Sequence, residues 1–208
     1  MNLNRPFQSI TPTVDGDVLT AMSSAEEIAF TPGQLHRVLN RHSEEGIRKV
    51  LRRLDVQGTV LSSKVGNAYA YRLNREHLAY NHVIGLARMF TVFLERLEST
   101  MTGWETPPVY SALFGSAARG SMTSDSDIDI FLVRPNLVDG DLWDSQVASL
   151  TADVTSWTGN DARDLQFTEQ EIIRVGAAEP VLMDVVREGL TIVGSRTAFV
   201  RLLRQGDA

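Results

Sequence analysis

The stretch VYSALFGSAARGSMTSDSDIDIFLV, residues 109–133, holds two apolar runs separated by a short polar segment. The second run carries Asp127 and Asp129, two residues apart. Side chains alternate between the two faces of a strand, so these acids share one face, while Ile128 and Ile130 face a core. Two close anions are costly unless a cation or a proton lies between them, and Mg²⁺ prefers oxygen ligands. The run therefore predicts a strand that carries a divalent-metal site.

The first apolar run ends in a glycine and a serine that suit a phosphate. Gly115 permits a tight turn and a close backbone approach, and Ser116 can cap a short helix over residues 117–119. Free amides at a helix start bind phosphate, so a metal site and a phosphate site would lie side by side, as nucleotidyl transfer requires. The alternative is a polar turn over residues 121–126 followed by solvated acids. Against it, Asp129 lies inside an apolar run, where an unpaired buried charge is expensive.

The spacing of these residues carries a family resemblance. Gly115 and Ser116, ten intervening residues and then Asp127-x-Asp129 resemble the signature of the polymerase-β-type nucleotidyltransferase superfamily. With the Ala-Arg-Gly at residues 118–120, the chain is most similar to the minimal nucleotidyltransferases. The resemblance implies a small mixed sheet flanked by helices. It also implies nucleotide binding at Gly115 and Ser116, and a role for Arg119 either in assisting the leaving phosphate or in bracing the turn.

In that superfamily a third acidic residue comes from the strand that follows the next helix. Asp164, in a candidate strand over residues 163–167, is the matching position, with Asp161 and Glu169 as alternatives. Asp164 can also simply begin a strand on the solvent side. The resemblance thus implies that Asp127, Asp129 and Asp164 are catalytic and hold two Mg²⁺ ions, with ATP or another nucleoside triphosphate as substrate.

The resemblance leaves three classes of acceptor open: a protein side chain, an RNA end and a small hydroxylated molecule. Minimal nucleotidyltransferases often act as antitoxins that adenylylate a small helical partner toxin. Transfer of AMP from ATP to a partner protein is therefore the leading expectation.

Composition predicts a soluble, cytoplasmic protein with no membrane partner. The 208 residues contain no cysteine, which excludes disulfides, thiolate zinc sites and a cysteine nucleophile. No apolar run is long enough to span a bilayer, and the first residues lack a signal-peptide pattern.

A basic block stands out in a chain whose net charge is −6. Residues 31–75 hold nine Lys or Arg against three acids. Helix starts at Thr31-Pro32 and Ser43, followed by a hairpin over residues 59–73, give the order of a winged helix-turn-helix. Residues 30–77 resemble the winged-helix domains of bacterial transcription regulators. The residues expected to contact DNA are Arg48, Lys49, Arg52, Arg53 and Lys64.

Two features of this block leave other interpretations open. Glu44 and Glu45 lie at the end of the helix that should face the groove, where small polar or basic residues are usual. They can accept from a cytosine amino group, or they can mean that the helix does not bind DNA. A winged helix that docks a protein, and a solvated helix face that binds nothing, are the alternatives.

The whole chain is expected to be α+β. A winged helix-turn-helix domain would occupy residues 1–77, of which residues 1–13 would be a loosely ordered lead-in. A connecting helix and linker would occupy residues 78–106, and a minimal nucleotidyltransferase domain residues 107–208. One long helix over residues 74–101 would pack on both domains or on a second copy in a homodimer.

Two functions compete. The first is a magnesium-dependent nucleotidyltransferase, acting as an antitoxin-like regulator. The second is a DNA-binding transcriptional regulator whose nucleotidyltransferase fold is a ligand sensor or a docking surface.

Overall fold

The computed structural model describes residues 1–205, apart from the side chain at position 177, and it divides into two compact units. The N-terminal unit is Arg5–Phe90, and the C-terminal unit is residues 91–205 together with Met1–Asn4. No helix among the described residues is both long enough and apolar enough to cross a membrane.

The N-terminal unit contains four helices and one antiparallel hairpin. In chain order they are α1 (Val14–Ser23), α2 (Pro32–Leu39), α3 (Glu44–Val56), β1 (Val60–Val65), β2 (Ala68–Leu73) and α4 (Tyr80–Ala87). Helices α2 and α3 begin where the sequence predicts. Thr31 forms a capping box with Gln34 at the start of α2, and the Ser43 side chain accepts from the amide of Gly46 at the start of α3. The expected mixed α and β content with a hairpin after two helices is present.

A buried charge cluster holds the helices of this unit together. Asp17 on α1 is only 6% exposed. It accepts from Arg5 at 2.7 Å, from Arg41 at 2.7 Å and from the His42 ring at 2.6 Å. Burial alone would raise the pKa of Asp17, but the hydrogen bonds from Arg5, His42 and Arg41 outweigh it and the pKa is lowered. The cluster therefore ties α1 to the segment between α2 and α3.

Two expectations for this part of the chain were wrong. The single helix over residues 74–101 is two helices, α4 and α5 (Met89–Thr102), because Arg88 leaves helical geometry between them. The lead-in over residues 1–13 is also ordered, with a 3-10 turn at Pro6–Ser9. Leu3 and Phe7 are 0% and 4% exposed, so burial of apolar side chains orders a segment that local sequence does not.

The C-terminal unit is built on a four-stranded mixed sheet. Its elements after α5 are β3 (Tyr110–Phe114), α6 (Gly115–Ala118), β4 (Ile128–Arg134), α7 (Gly140–Thr158), β5 (Ala162–Thr168), α8 (Glu169–Val175), α9 (Pro180–Glu188), β6 (Leu190–Val193) and α10 (Arg196–Arg204). The strand order is β5-β4-β3-β6. Strands β3 and β4 are antiparallel, and β5 runs parallel to β4 after the crossover through α7.

The register of β4 decides which residues share a face. Phe131 and Val133 are fully buried and pack with residues of α8, α9 and α10. Ile128 and Ile130 are also fully buried, as the alternation predicts, and face the opposite side. That opposite side is the α7 side, because Gln166, level with Leu132, accepts from the Trp143 indole of α7. Odd-numbered residues of β4 therefore point toward α8–α10.

Candidate functional site

The turn between β3 and α6 lies directly against the acidic end of β4. Phe114 pairs with Asp129 across the two strands, which brings Gly115 beside that carboxylate. Gly115 has φ +70°, a backbone conformation that residues with a side chain rarely adopt. A Cβ added there would overlap Oδ2 of Asp129 and would lie 3.2 Å from its Cγ. The glycine is therefore required twice, by its conformation and by the carboxylate.

Asp127 and Asp129 lie on one face, at the N-terminal end of β4. Asp127 immediately precedes the strand and Asp129 is its second residue. Burial raises the pKa of Asp129, and the negative charge of Asp127 raises it further, while Arg163 and Arg119 act in the opposite direction. These two half-buried carboxylates repel each other, and one divalent cation bound between them would relieve that repulsion.

The third acid expected beside this pair is absent from that face. In the parallel register of β4 and β5, Asp129 lies opposite Arg163, and Asp164 lies opposite Ile130. Asp164 therefore points to the α7 side, where its Oδ2 accepts from the Gln166 amide at 2.6 Å. The structure does not bring Asp164 to the pair, because a shift of one residue moves a side chain to the other face.

The two alternatives to Asp164 lie in different places. Glu169 follows the C-terminal end of β5, at the far end of the sheet from the pair, and accepts from the amide of Asn136 at 3.2 Å. Asp161 lies at the near end, where its carbonyl oxygen accepts from the Ile128 amide at 2.8 Å. Within residues 1–205 no group of three or more His, Cys, Asp or Glu side chains is placed to hold a metal.

Arg163 occupies the position beside the pair instead, and sequence reasoning missed it. Its guanidinium Nη1 lies 2.7 Å from Asp127 Oδ2, and its Nε donates to Asp161 at 3.3 Å. Its side chain is 62% exposed. No local signal marks Arg163, because only the register of two strands separated by α7 shows that it faces the acids.

Ser116 and Arg119 take positions that differ in part from the expectation. Helix α6 begins at Gly115, with Phe114 as the N-cap residue and no side-chain cap, so Ser116 lies inside the helix and does not cap it. Arg119 follows the helix and its Nη1 donates to Glu188 on α9 at 2.8 Å. This contact connects the turn to α9.

A second residue that sequence reasoning missed supports the loop before Asp127. Asn160 is 3% exposed, and its side-chain amide donates to the carbonyl oxygens of Ser124 at 3.0 Å and Ser126 at 2.8 Å. The buried amide positions the segment that leads into Asp127.

The predicted DNA-contacting residues lie on α3 and the hairpin. Arg48 pairs with Glu44 at 2.6 Å, and Arg53 forms an ion pair with Asp15 of α1. Lys49, Arg52 and Lys64 are exposed and have no ion pair with any described residue. Two of the five predicted cations are thus already partnered by acids.

The N-terminal unit also contains a groove of about 790 Å³. Its walls come from the start of α2, from one face of α3 and from the hairpin, and it is lined in part by Glu44, Arg48, Arg52, Asp55 and Tyr69.

Comparison with known proteins gives one family match and a few similar structures. A structure of a toxin–antitoxin with AMP-PNP has 18% identity and a TM-score of 0.39, over 53% of this chain and 82% of that one. A mutant of the toxin–antitoxin MntA-HpeT has 15% identity and a TM-score of 0.38 over the same shares. TrmBL2, an archaeal chromatin protein with a novel mode of DNA binding, has 14% identity and a TM-score of 0.27, over 84% of this chain and 72% of that one. All three TM-scores are too low to support an argument.

No curated protein matches the chain. The family model described as a nucleotidyltransferase domain matches residues 104–181, which include the turn at Gly115, both acids of β4 and Arg163. This segment is less than half of the chain, and the match supports the assignment of the chain as a transferase. Residues 104–181 thus match a nucleotidyltransferase domain.

Proposed function

We propose that this chain is a metal-dependent nucleotidyltransferase that moves AMP from ATP, or another nucleoside monophosphate, onto an acceptor hydroxyl. The observation that carries the proposal is the apposition of Gly115 and Asp129, which sets the backbone of a turn against a carboxylate pair. Both residues lie within the segment that matches the nucleotidyltransferase domain.

Asp127 and Asp129 fit one Mg²⁺ ion, since burial and mutual repulsion raise the pKa of Asp129 and a cation would relieve both effects. When bound, the ion would neutralise charge on the triphosphate and polarise the α-phosphate. Gly115 and Ser116 would bind phosphate oxygens through backbone amides and the serine hydroxyl. The acceptor oxygen would attack the α-phosphorus, the bond to the β-phosphate would break and pyrophosphate would leave. The proton of the acceptor hydroxyl would pass to solvent water.

For Arg119 we propose the bracing role. Its bond to Glu188 holds the end of the turn against α9, and its positive charge also favours the ionised form of Asp129.

The proposed acceptor is a partner protein, so that the chain would act as an antitoxin-like regulator. This step rests on the resemblance to the minimal nucleotidyltransferases, which is carried by the Gly-Ser and Asp-x-Asp spacing and by the Ala-Arg-Gly at residues 118–120. RNA ends and small hydroxylated molecules are the other acceptors of the same chemistry.

The test uses ATP labelled at one phosphate at a time, incubated with the protein, Mg²⁺ and a bacterial extract. Label from the α-phosphate should appear on an acceptor, and label from the γ-phosphate should not. The variant Asp129→Asn should transfer neither. Labelling only from the γ-phosphate, or equal labelling by wild type and Asp129→Asn, would contradict the proposal.

For the N-terminal unit we propose a winged helix-turn-helix that binds DNA. The supporting observation is that Lys49 and Arg52 on α3 and Lys64 on the hairpin are exposed and have no acidic partner among the described residues. Such cations are available to neutralise phosphates. If the nucleotidyltransferase fold were only a sensor or docking surface, this DNA contact would be the main activity of the chain.

DNA binding is tested by fluorescence anisotropy of a labelled duplex over a range of salt concentrations. Arg52→Ala should weaken binding and lower the salt slope by about one. Arg53→Ala is the matched control, since Arg53 already pairs with Asp15, and it should leave the slope unchanged. Unchanged affinity and slope in Arg52→Ala and in Lys49→Ala would exclude the DNA role.

A further inference from the structure

Arg163 lies beside the acid pair, where a third carboxylate was expected. It lies level with Asp129 on the adjacent strand, on the face that carries both acids. Its Nη1 is 2.7 Å from Asp127 Oδ2, and its Nε is 3.3 Å from Asp161 Oδ2. One guanidinium therefore spans two carboxylates at the edge of the site.

A second divalent ion lacks ligands here. It would need a third carboxylate next to the pair, and Asp164, the residue expected to supply it, faces α7 and is bonded to Gln166. Residues 1–205 contain no group of three acids or histidines placed for a metal. Oδ2 of Asp127 already contacts the guanidinium of Arg163.

We propose that Arg163 takes the place of the second divalent cation, so that the site binds one metal ion together with the nucleotide. This inference rests on the proposed nucleotidyltransferase function and deepens it. A guanidinium stays protonated at every physiological pH and only donates. Arg163 would thus supply positive charge beside Asp127, and it would not take the proton from the acceptor hydroxyl.

The first test counts metal ions directly, with no need for turnover. Equilibrium dialysis would measure bound Mn²⁺ per protein in the presence of a saturating non-hydrolysable ATP analogue. Wild type should bind one Mn²⁺ with each nucleotide. The variant Arg163→Asp, which places a third carboxylate beside Asp129, should bind two. Arg163→Lys keeps the charge and should bind one.

The second test needs no nucleotide. Since removing a nearby positive charge strengthens cation binding, Arg163→Met should bind Mn²⁺ about threefold or more tightly than wild type, measured by electron paramagnetic resonance of free Mn²⁺. Arg134→Met removes an arginine at the other end of β4 and should change nothing.

Two Mn²⁺ ions per nucleotide in wild type would overturn the role of Arg163 and leave the proposed function standing. Equal Mn²⁺ affinity in wild type and Arg163→Met would also overturn it. A folded wild-type protein that binds neither Mn²⁺ nor the analogue would overturn the proposed function and the role of Arg163 together. If Arg163→Asp does not fold, the wild-type count and the Arg163→Met affinity decide the question.

Discussion

Replacing Gly115 by alanine tests whether the turn and the carboxylate really touch. Alanine at φ +70° costs about 1–2 kcal/mol for a left-handed backbone. The new Cβ would also overlap Oδ2 of Asp129. Moving the carboxylate or the turn adds about 1–3 kcal/mol, as overpacking generally does. The free energy of unfolding should therefore fall by about 2–5 kcal/mol.

The chain offers a matched control for the backbone part of this cost. Gly120 has φ +72°, and a Cβ built on it meets nothing within 4 Å. Gly120→Ala should thus lose only about 1–2 kcal/mol. The difference between the two variants isolates the overlap with Asp129. It should largely disappear when both are made in an Asp129→Ala background, since that change removes the carboxylate.

Tryptophan fluorescence during urea unfolding is a suitable assay. All three tryptophans, Trp104, Trp143 and Trp157, belong to the C-terminal unit, so the signal reports on that unit alone. Gly115→Ala should also lose magnesium-dependent ATP binding, and Gly120→Ala should keep it. Equal stability and equal ATP affinity in the two alanine variants would show that the turn at Gly115 and the Asp129 carboxylate are not in contact.

Three further predictions concern buried polar groups. Folding raises the pKa of Asp129, so the stability of the wild type falls as the pH rises from the ordinary carboxyl pKa through the raised one. At neutral pH, Asp129→Asn should therefore stabilise the metal-free protein by up to about 1 kcal/mol. Well below pH 3.8, where Asp129 is protonated in both the folded and the unfolded state, urea titrations should show no gain. Asp17 has a lowered pKa, so the stability it contributes is present above pH 3.8 and is lost as the pH falls through the lowered value. Asp17→Ala should lower the free energy of unfolding by about 1–3 kcal/mol at pH 7, measured by circular dichroism. An unchanged free energy of unfolding would mean that the ion cluster does not stabilise the fold. Asn160→Ala should cost about 1–3 kcal/mol and weaken ATP binding, whereas unchanged ATP affinity would show that Asn160 does not position the loop before Asp127.

The sequence was informative wherever a local signal sets the structure. Alternating apolar residues and the glycine at 115 predicted the two strands and the turn between them, and Thr31 and Ser43 marked the helix starts. The face of β5 could not be predicted, because it depends on pairing with β4 across the 19 residues of α7. The observed register places Arg163, and not Asp164, beside Asp129.

The break at Arg88 and the burial of Leu3 were missed for a related reason. An apolar stripe that continues at helical spacing shows no break, and Arg88 is an ordinary helix residue. Leu3 lies in a polar segment, and only contacts with distant parts of the chain bury it. At Leu3, tertiary packing outweighs local preference.

The proposed metal and nucleotide site consists of Asp127 and Asp129 and does not include Asp164. Calorimetric titration of ATP into the purified protein with Mg²⁺ tests it most directly, with the other triphosphates as comparisons. Wild type and Asp164→Asn should bind ATP equally well, and the double variant Asp127→Asn/Asp129→Asn should not bind it. Loss of binding in Asp164→Asn, or binding that survives in the double variant, would show that this assignment of the site is wrong.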